Sequence, residues 1–173
     1  MIQFFIDVDG WGDGPHSTPA VDESFVYGFS AHGLLTAVNK KDGKIEWKVD
    51  FIKELGSTLP RWGFSTSPLL IEDLLVMEAG GKDEKAFVAF NKKDGKVVWT
   101  KGKGNSLYNS PTIASINGIT QILFSMEATC IRLILKVIHY GPPLQILGMQ
   151  QLCLFSLTGI KSSFQTLTAK DIQ

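Results

Sequence analysis

The chain has 173 residues, 44% of them hydrophobic, and its 17 Lys/Arg balance 17 Asp/Glu. That length suits one ordinary domain, and the zero net charge excludes the basic surface of a nucleic-acid binder. The balance hides two unlike parts: residues 1–127 carry a net charge of −3 and residues 128–173 a net of +3.

Residues 1–14 form a lead-in segment. It opens Met1-Ile2-Gln3-Phe4-Phe5-Ile6 without a basic start and turns acidic at Asp7, so the chain shows no signal peptide. The run Asp7-Val8-Asp9-Gly10-Trp11-Gly12-Asp13-Gly14 has the carboxylates and turn glycines of a calcium loop. A helix–loop–helix calcium site needs an oxygen ligand at its fifth position and a glutamate at its twelfth. Trp11 and Thr18 stand there instead. The run reads as a turn before the first strand, with no metal site assigned.

From residue 15 to 127 the sequence repeats itself. Asn39-Lys40-Lys41-Asp42-Gly43-Lys44 recurs unchanged at Asn91-Lys92-Lys93-Asp94-Gly95-Lys96, and each copy leads at the same distance into a tryptophan, Trp47 and Trp99. Each follows an apolar strand, Leu34–Val38 and Ala86–Phe90, and further upstream lie Thr18-Pro19 and Ser67-Pro68. A third copy opens at Ser110-Pro111. The second copy predicts four strands, Pro68–Ile71, Leu74–Glu78, Ala86–Asn91 and Lys96–Lys101. Turns at Glu72-Asp73, Gly80-Gly81-Lys82-Asp83 and Lys93-Asp94-Gly95 separate them, and Asp-Gly supplies the positive φ of a tight hairpin. Four short strands per 40–50-residue repeat is the arithmetic of propeller blades. Two duplicated hairpins in a β-sandwich are the alternative. The expectation is an all-β, incomplete β-propeller of about 2.5 four-stranded antiparallel blades, with further blades needed for closure. Each repeat tryptophan ends a strand and reads as a structural residue that docks blade on blade.

Between the first two repeats runs a long connection, residues 56–65, containing Pro60-Arg61-Trp62-Gly63. Loops on a rigid scaffold carry function disproportionately. Arg61 beside Trp62 suits a carboxylate, a phosphate or a sugar face, or else both side chains pack on the neighbouring blade. These two are the candidate ligand-binding residues. His16 and His32 stand alone near turns, and Gly80-Gly81-Lys82 lacks the strand and helix of a phosphate loop. No catalytic constellation is assigned.

Residues 128–173 form an atypical tail. From Ala128 to Lys170 there is no acidic residue, and Cys130 and Cys153 have no partner at metal-ligand spacing. Arg132, Lys136, Gly141-Pro142-Pro143 and Gln150-Gln151 interrupt it too often for a transmembrane segment. It is either a capping segment or a frameshifted one. If one base was lost near Thr129, the codons from Lys136 to Gly141 permit Gly-(Asp/Asn)-x-Leu-Trp in the restored frame. That places Gly four residues before Trp, as in Gly43/Trp47 and Gly95/Trp99, and the Trp about 41 residues after Trp99, while no Asp or Asn is permitted at the place of Asn39 and Asn91.

The strand, Asp-Gly-Lys turn and tryptophan resemble the PQQ-like (pyrroloquinoline-quinone-type) β-propeller repeat, over roughly Gly12 to Glu127. Gly12-Asp13-Gly14-Pro15-His16-Ser17-Thr18-Pro19, Pro60–Phe64 and Ser67-Pro68 resemble the bacterial, usually exported, members. Those are similar in turn to the outer-membrane assembly lipoprotein of the β-barrel machinery and to quinoprotein alcohol dehydrogenases. The resemblance places Trp47 and Trp99 between neighbouring blades and implies an exported, periplasmic or extracytoplasmic protein. It implies a binding or assembly scaffold for an unknown protein or small-molecule ligand; the alternative is a quinoprotein oxidoreductase. Enzymes of that kind hold PQQ and calcium with adjacent cysteines, and this chain has none, so no cofactor is expected outside the alternative.

Overall fold

The computed structural model describes residues 16–106, 108–116, 119–126, 129–136 and 145–153. The first sheet runs β1 (Ala20–Val21), β2 (Phe25–Phe29), β3 (Leu34–Asn39) and β4 (Ile45–Asp50). A short helix, α1 (Phe51–Leu55), leads away from it. The second sheet runs β5 (Leu69–Ile71), β6 (Leu74–Gly81), β7 (Lys85–Asn91) and β8 (Val97–Lys101). The third runs β9 (Thr112–Ile116), β10 (Ile119–Met126), β11 (Thr129–Lys136) and β12 (Gln145–Cys153). In each sheet the strands lie in chain order and pair antiparallel. These are propeller blades, three among the described residues, where closure takes four to eight.

Identical sequence makes identical turns. Asn39 Oδ1 accepts from Lys41 N and Asp42 Oδ1 from Lys44 N; Asn91 and Asp94 do the same for Lys93 and Lys96. Gly43 and Gly95 take φ of 69° and 71°, where a side chain would be strained. A register shift follows each turn at the same place, between Ala37 and Val38 and between Ala89 and Phe90. Trp47 therefore pairs with Ala37, and Trp99 with Ala89.

Burial explains the apolar patterning. In the first blade Tyr27, Phe29, Leu35, Ala37, Trp47 and Val49 are buried at alternate positions, the period of a strand with one covered face. β6 is buried along its whole length because both faces of the second blade are covered. Leu75 and Met77 join Tyr27, Leu35 and Trp47 in one core, while Leu74 and Val76 join Ile122 and Phe124 in another. That is why Leu-Leu-Val-Met and Ala-Phe-Val-Ala-Phe read as unbroken apolar runs. Each large side chain so covered stabilises by about 1.5–3 kcal/mol.

Two details differ from the sequence expectations. Gly80-Gly81 is strand, not turn: β6 continues to Gly81 through an irregularity after Glu78, and the turn shifts to Lys82-Asp83-Glu84. Glycine is required because a Cβ on Gly80 would stand 1.9 Å from Ser106 N and one on Gly81 2.7 Å from Leu55 O. The second is α1, which the repeat pattern did not show. Asp50 caps it, accepting from Ile52 N and Lys53 N, and Gly56 closes it at φ 71°.

Candidate functional site

The connection that follows α1 is fastened to the core just after its tip. Phe64 N donates to Ala31 O at 2.8 Å, and the Phe64 ring meets Phe29 and Phe51 edge-on in the core. The fit is close enough that a Cβ on Gly33 would stand 2.8 Å from the Phe64 ring. Just before this anchor, Gly63 N donates to Pro60 O at 3.0 Å, closing a turn whose two central residues are Arg61 and Trp62. A buried Phe64 thus holds out an exposed Arg61 and Trp62.

Trp62 is 44% exposed, and Arg61 Cζ lies 5.3 Å from the centre of its ring. Tyr108, from the connection into the third blade, packs its ring against Trp62 in a tilted pair with centroids 5.3 Å apart. Its hydroxyl oxygen accepts from Trp62 N at 3.4 Å. Tyr108 is 40% exposed and was not among the sequence candidates. Its signal was its place just before Ser110-Pro111, at the end of the next inter-blade connection. Together the three present two aromatic faces and a guanidinium to solvent. Such a surface can cover an apolar side chain and pair with a carboxylate.

The repeat tryptophans sit elsewhere. Trp47 is buried in the core shared by the first two blades, and its Nε1 donates to Lys92 O of the second blade's turn at 3.1 Å. Trp99 is half-buried against the core shared with the third blade. Around Trp47 lies the main polar junction between blades. Asp22 Oδ1 accepts from Ser24 N and Phe25 N, Oδ2 accepts from Tyr27 Oη at 2.9 Å, and Lys92 Nζ stands 3.8 Å away. Burial pushes the Asp22 carboxyl up, but the two amides, the Tyr27 hydroxyl and the Lys92 charge outweigh it and hold it below the usual carboxylate range. Burial, with the Asp22 hydrogen bond and charge, pushes the Tyr27 phenol well above its ordinary value. A shallow pocket lined by Asp22, Glu23, Ser24, Phe25, Asp73, Lys92 and Lys93 opens here. Of its charges, Asp22 and Lys92 face each other across the blade junction.

The remaining sequence candidates do not converge. The Asp7–Gly14 run lies outside the described residues. His16 is exposed and His32 half-buried. Among the described residues no group of three or more His, Cys, Asp or Glu could hold a metal ion. Nor is any helix among them long and apolar enough to cross a membrane. What the sequence did not disclose is the purpose of the Ser/Thr-Pro signature. Thr18 N donates to Ser67 Oγ, and Ser67 N donates to Ser110 Oγ, both at 2.9 Å, so the signature links each blade to the next.

A family model described as outer membrane protein assembly factor BamB matches residues 7–128. The chain belongs to this family. Outer membrane protein assembly factor BamB of Escherichia coli (strain K12) is 33% identical to it over 94 residues, covering 51% of this chain and 22% of that protein. The same protein of Shigella dysenteriae serotype 1 (strain Sd197) matches to the same extent. The match thus spans about a fifth of the length of these curated relatives. Among solved structures, BamB from Moraxella catarrhalis superposes with a TM-score of 0.49 at 17% identity, covering 79% of this chain and 34% of that one. The computationally designed Ika8 protein does so with a TM-score of 0.46 at 12% identity, covering 79% and 36%. The repeat is that of the PQQ-like propeller family, and neither the family description nor the relatives' names carries an oxidoreductase.

Proposed function

We propose that this chain is part of an exported propeller scaffold that holds a protein partner in outer-membrane protein assembly, with Arg61, Trp62 and Tyr108 as the contact. The carrying observation is the exposed Arg61–Trp62–Tyr108 cluster, built on a loop that Phe64 fixes in the core. Arg, Trp and Tyr are the residue types most enriched where alanine substitution weakens protein interfaces. A preorganised aromatic pair loses little side-chain entropy on binding. The family description and the names of the enterobacterial relatives supply the setting, assembly of outer membrane proteins and hence an extracytoplasmic location.

The test is site-specific photo-cross-linking of the full-length protein in envelope preparations from its own organism. The photoreactive residue is placed at position 62 or, as control, at the exposed Glu46 on β4. The proposal expects one adduct with a component of the outer-membrane assembly machinery from position 62, abolished by Arg61→Ala, and none from position 46. Equal labelling from both positions, or none from position 62, contradicts it.

A further inference from the structure

The two identical hexapeptides, residues 39–44 and 91–96, form a natural pair in which only the neighbour differs. Within their own blades they are matched bond for bond. Gly43 N donates to Asn39 O and Gly95 N to Asn91 O, both at 2.9 Å. Asp42 Oδ1 and Asp94 Oδ1 each accept from the amide of the lysine two residues on, at 3.1 Å. Lys40 Nζ donates to Asp22 O at 2.8 Å and Lys92 Nζ to Glu72 O at 2.7 Å, so each turn is tied to the first hairpin of its own blade.

Across the blades the match ends. Lys92 O accepts from Trp47 Nε1 and from Tyr27 Oη, both at 3.1 Å. Gly95 is buried against the Trp47 ring, where a Cβ would stand 2.6 Å from Cε3. Gly43 is exposed, and a Cβ on it would meet nothing within 4 Å among the described residues. We propose that Asp42-Gly43 is a site of spontaneous aspartate isomerisation in this chain, and that Trp47 shields Asp94-Gly95 from the same reaction.

The reaction needs only the protein and water. The Gly43 nitrogen bonds to Asp42 Cγ and gives up its proton, and the carboxyl oxygen leaves as water. Water then opens the five-membered succinimide. Attack at the former main-chain carbonyl leaves the chain running through the Asp42 side chain, an isoaspartate; attack at the other carbonyl restores aspartate. One water is lost and one gained, so nothing is oxidised and the mass is unchanged. Aspartate before glycine suits the step because no Cβ hinders the attacking nitrogen. To bring that nitrogen to Cγ, the turn must release Gly43 N from Asn39 O and swing Asp42 off the Lys44 amide. Those losses are common to both turns. The second turn must also move Gly95 against a packed indole, beside a carbonyl that Trp47 and Tyr27 hold, so its reactive conformer is the rarer one.

The test follows both sites in one sample. The 173-residue chain is incubated in mildly acidic buffer, either folded or unfolded in urea. Chymotryptic peptides separate the two sites, and electron-transfer fragmentation distinguishes isoaspartate from aspartate at each. Rates in the unfolded chain give the intrinsic reactivity of each site. Relative to that reference, conversion at Asp42 in the folded chain is expected to be at least about tenfold faster than at Asp94. Trp47→Ala should bring the rate at Asp94 towards that at Asp42. Equal relative rates in the folded chain, faster conversion at Asp94, or no isoaspartate at Asp42 by the time the unfolded chain has converted overturns the proposal. Should Trp47→Ala fail to fold, the ratio in the natural chain decides.

Discussion

At the scale of single residues, the most informative pair is Gly43 and Gly95. Both sit at positive φ in the same hexapeptide turn, yet a Cβ on Gly43 meets nothing within 4 Å, while one on Gly95 strikes the Trp47 ring. Gly43→Ala therefore costs only the backbone strain of a left-handed alanine, about 1 kcal/mol. Gly95→Ala adds the displacement of a packed indole, a further 1–3 kcal/mol or so. Urea unfolding of the two variants measures the difference; equal losses would show that the turn does not rest on Trp47. Asp22 gives the second residue-scale prediction. Its carboxyl is held below the usual range when folded, so the stability it confers is fully present above its unfolded value of about 3.9. That stability is lost as pH falls through the lower folded value. The gap in urea midpoint between the natural chain and Asp22→Asn should be open at pH 6 and shrink steadily below about pH 4. A gap that widens on acidification contradicts this sign.

At the scale of elements, α1 shows how much local chemistry holds the loop that carries Arg61 and Trp62. Asp50 accepts from two helix amides, and Glu54 Oε1 accepts from Asp50 N in return. Asp50→Ala should cost about 1 kcal/mol and loosen the Arg61–Trp62 turn that the helix leads into. Thermal unfolding together with amide exchange at Gly63 and Phe64 checks both halves. Unchanged exchange there would uncouple the helix from the loop. Elements built by the repeat were legible, because Asp-Gly turns and alternating apolar positions declare themselves twice. The helix was not: five residues make little more than one turn and carry no period, and only Asp50, Glu54 and Gly56 marked it. Gly80-Gly81 misled for a physical reason. Two glycines read as a turn, but here they let a strand pass within reach of Ser106 and Leu55. Arg61 and Trp62 were legible as a loop pair, whereas Tyr108 reaches them only through the packing of one blade on the next.

At the scale of the whole molecule, stability is a chain of nearest-neighbour contacts. The second blade is covered on both faces, and the Thr18–Ser67–Ser110 links, the Trp47–Lys92 bond and the two cores pass from one blade to the next. Such a body is a rigid mount for loops, and the connection between the first two blades presents Arg61 and Trp62. The proposed function has the protein hold a partner, where the alternative has it oxidise a substrate. Dye-linked alcohol oxidation by the full-length protein, supplied with PQQ and calcium, tests it most directly. A partner-holding scaffold gives no turnover above the protein-free control, with or without the additions. Turnover that requires both PQQ and calcium would contradict it and restore the quinoprotein reading.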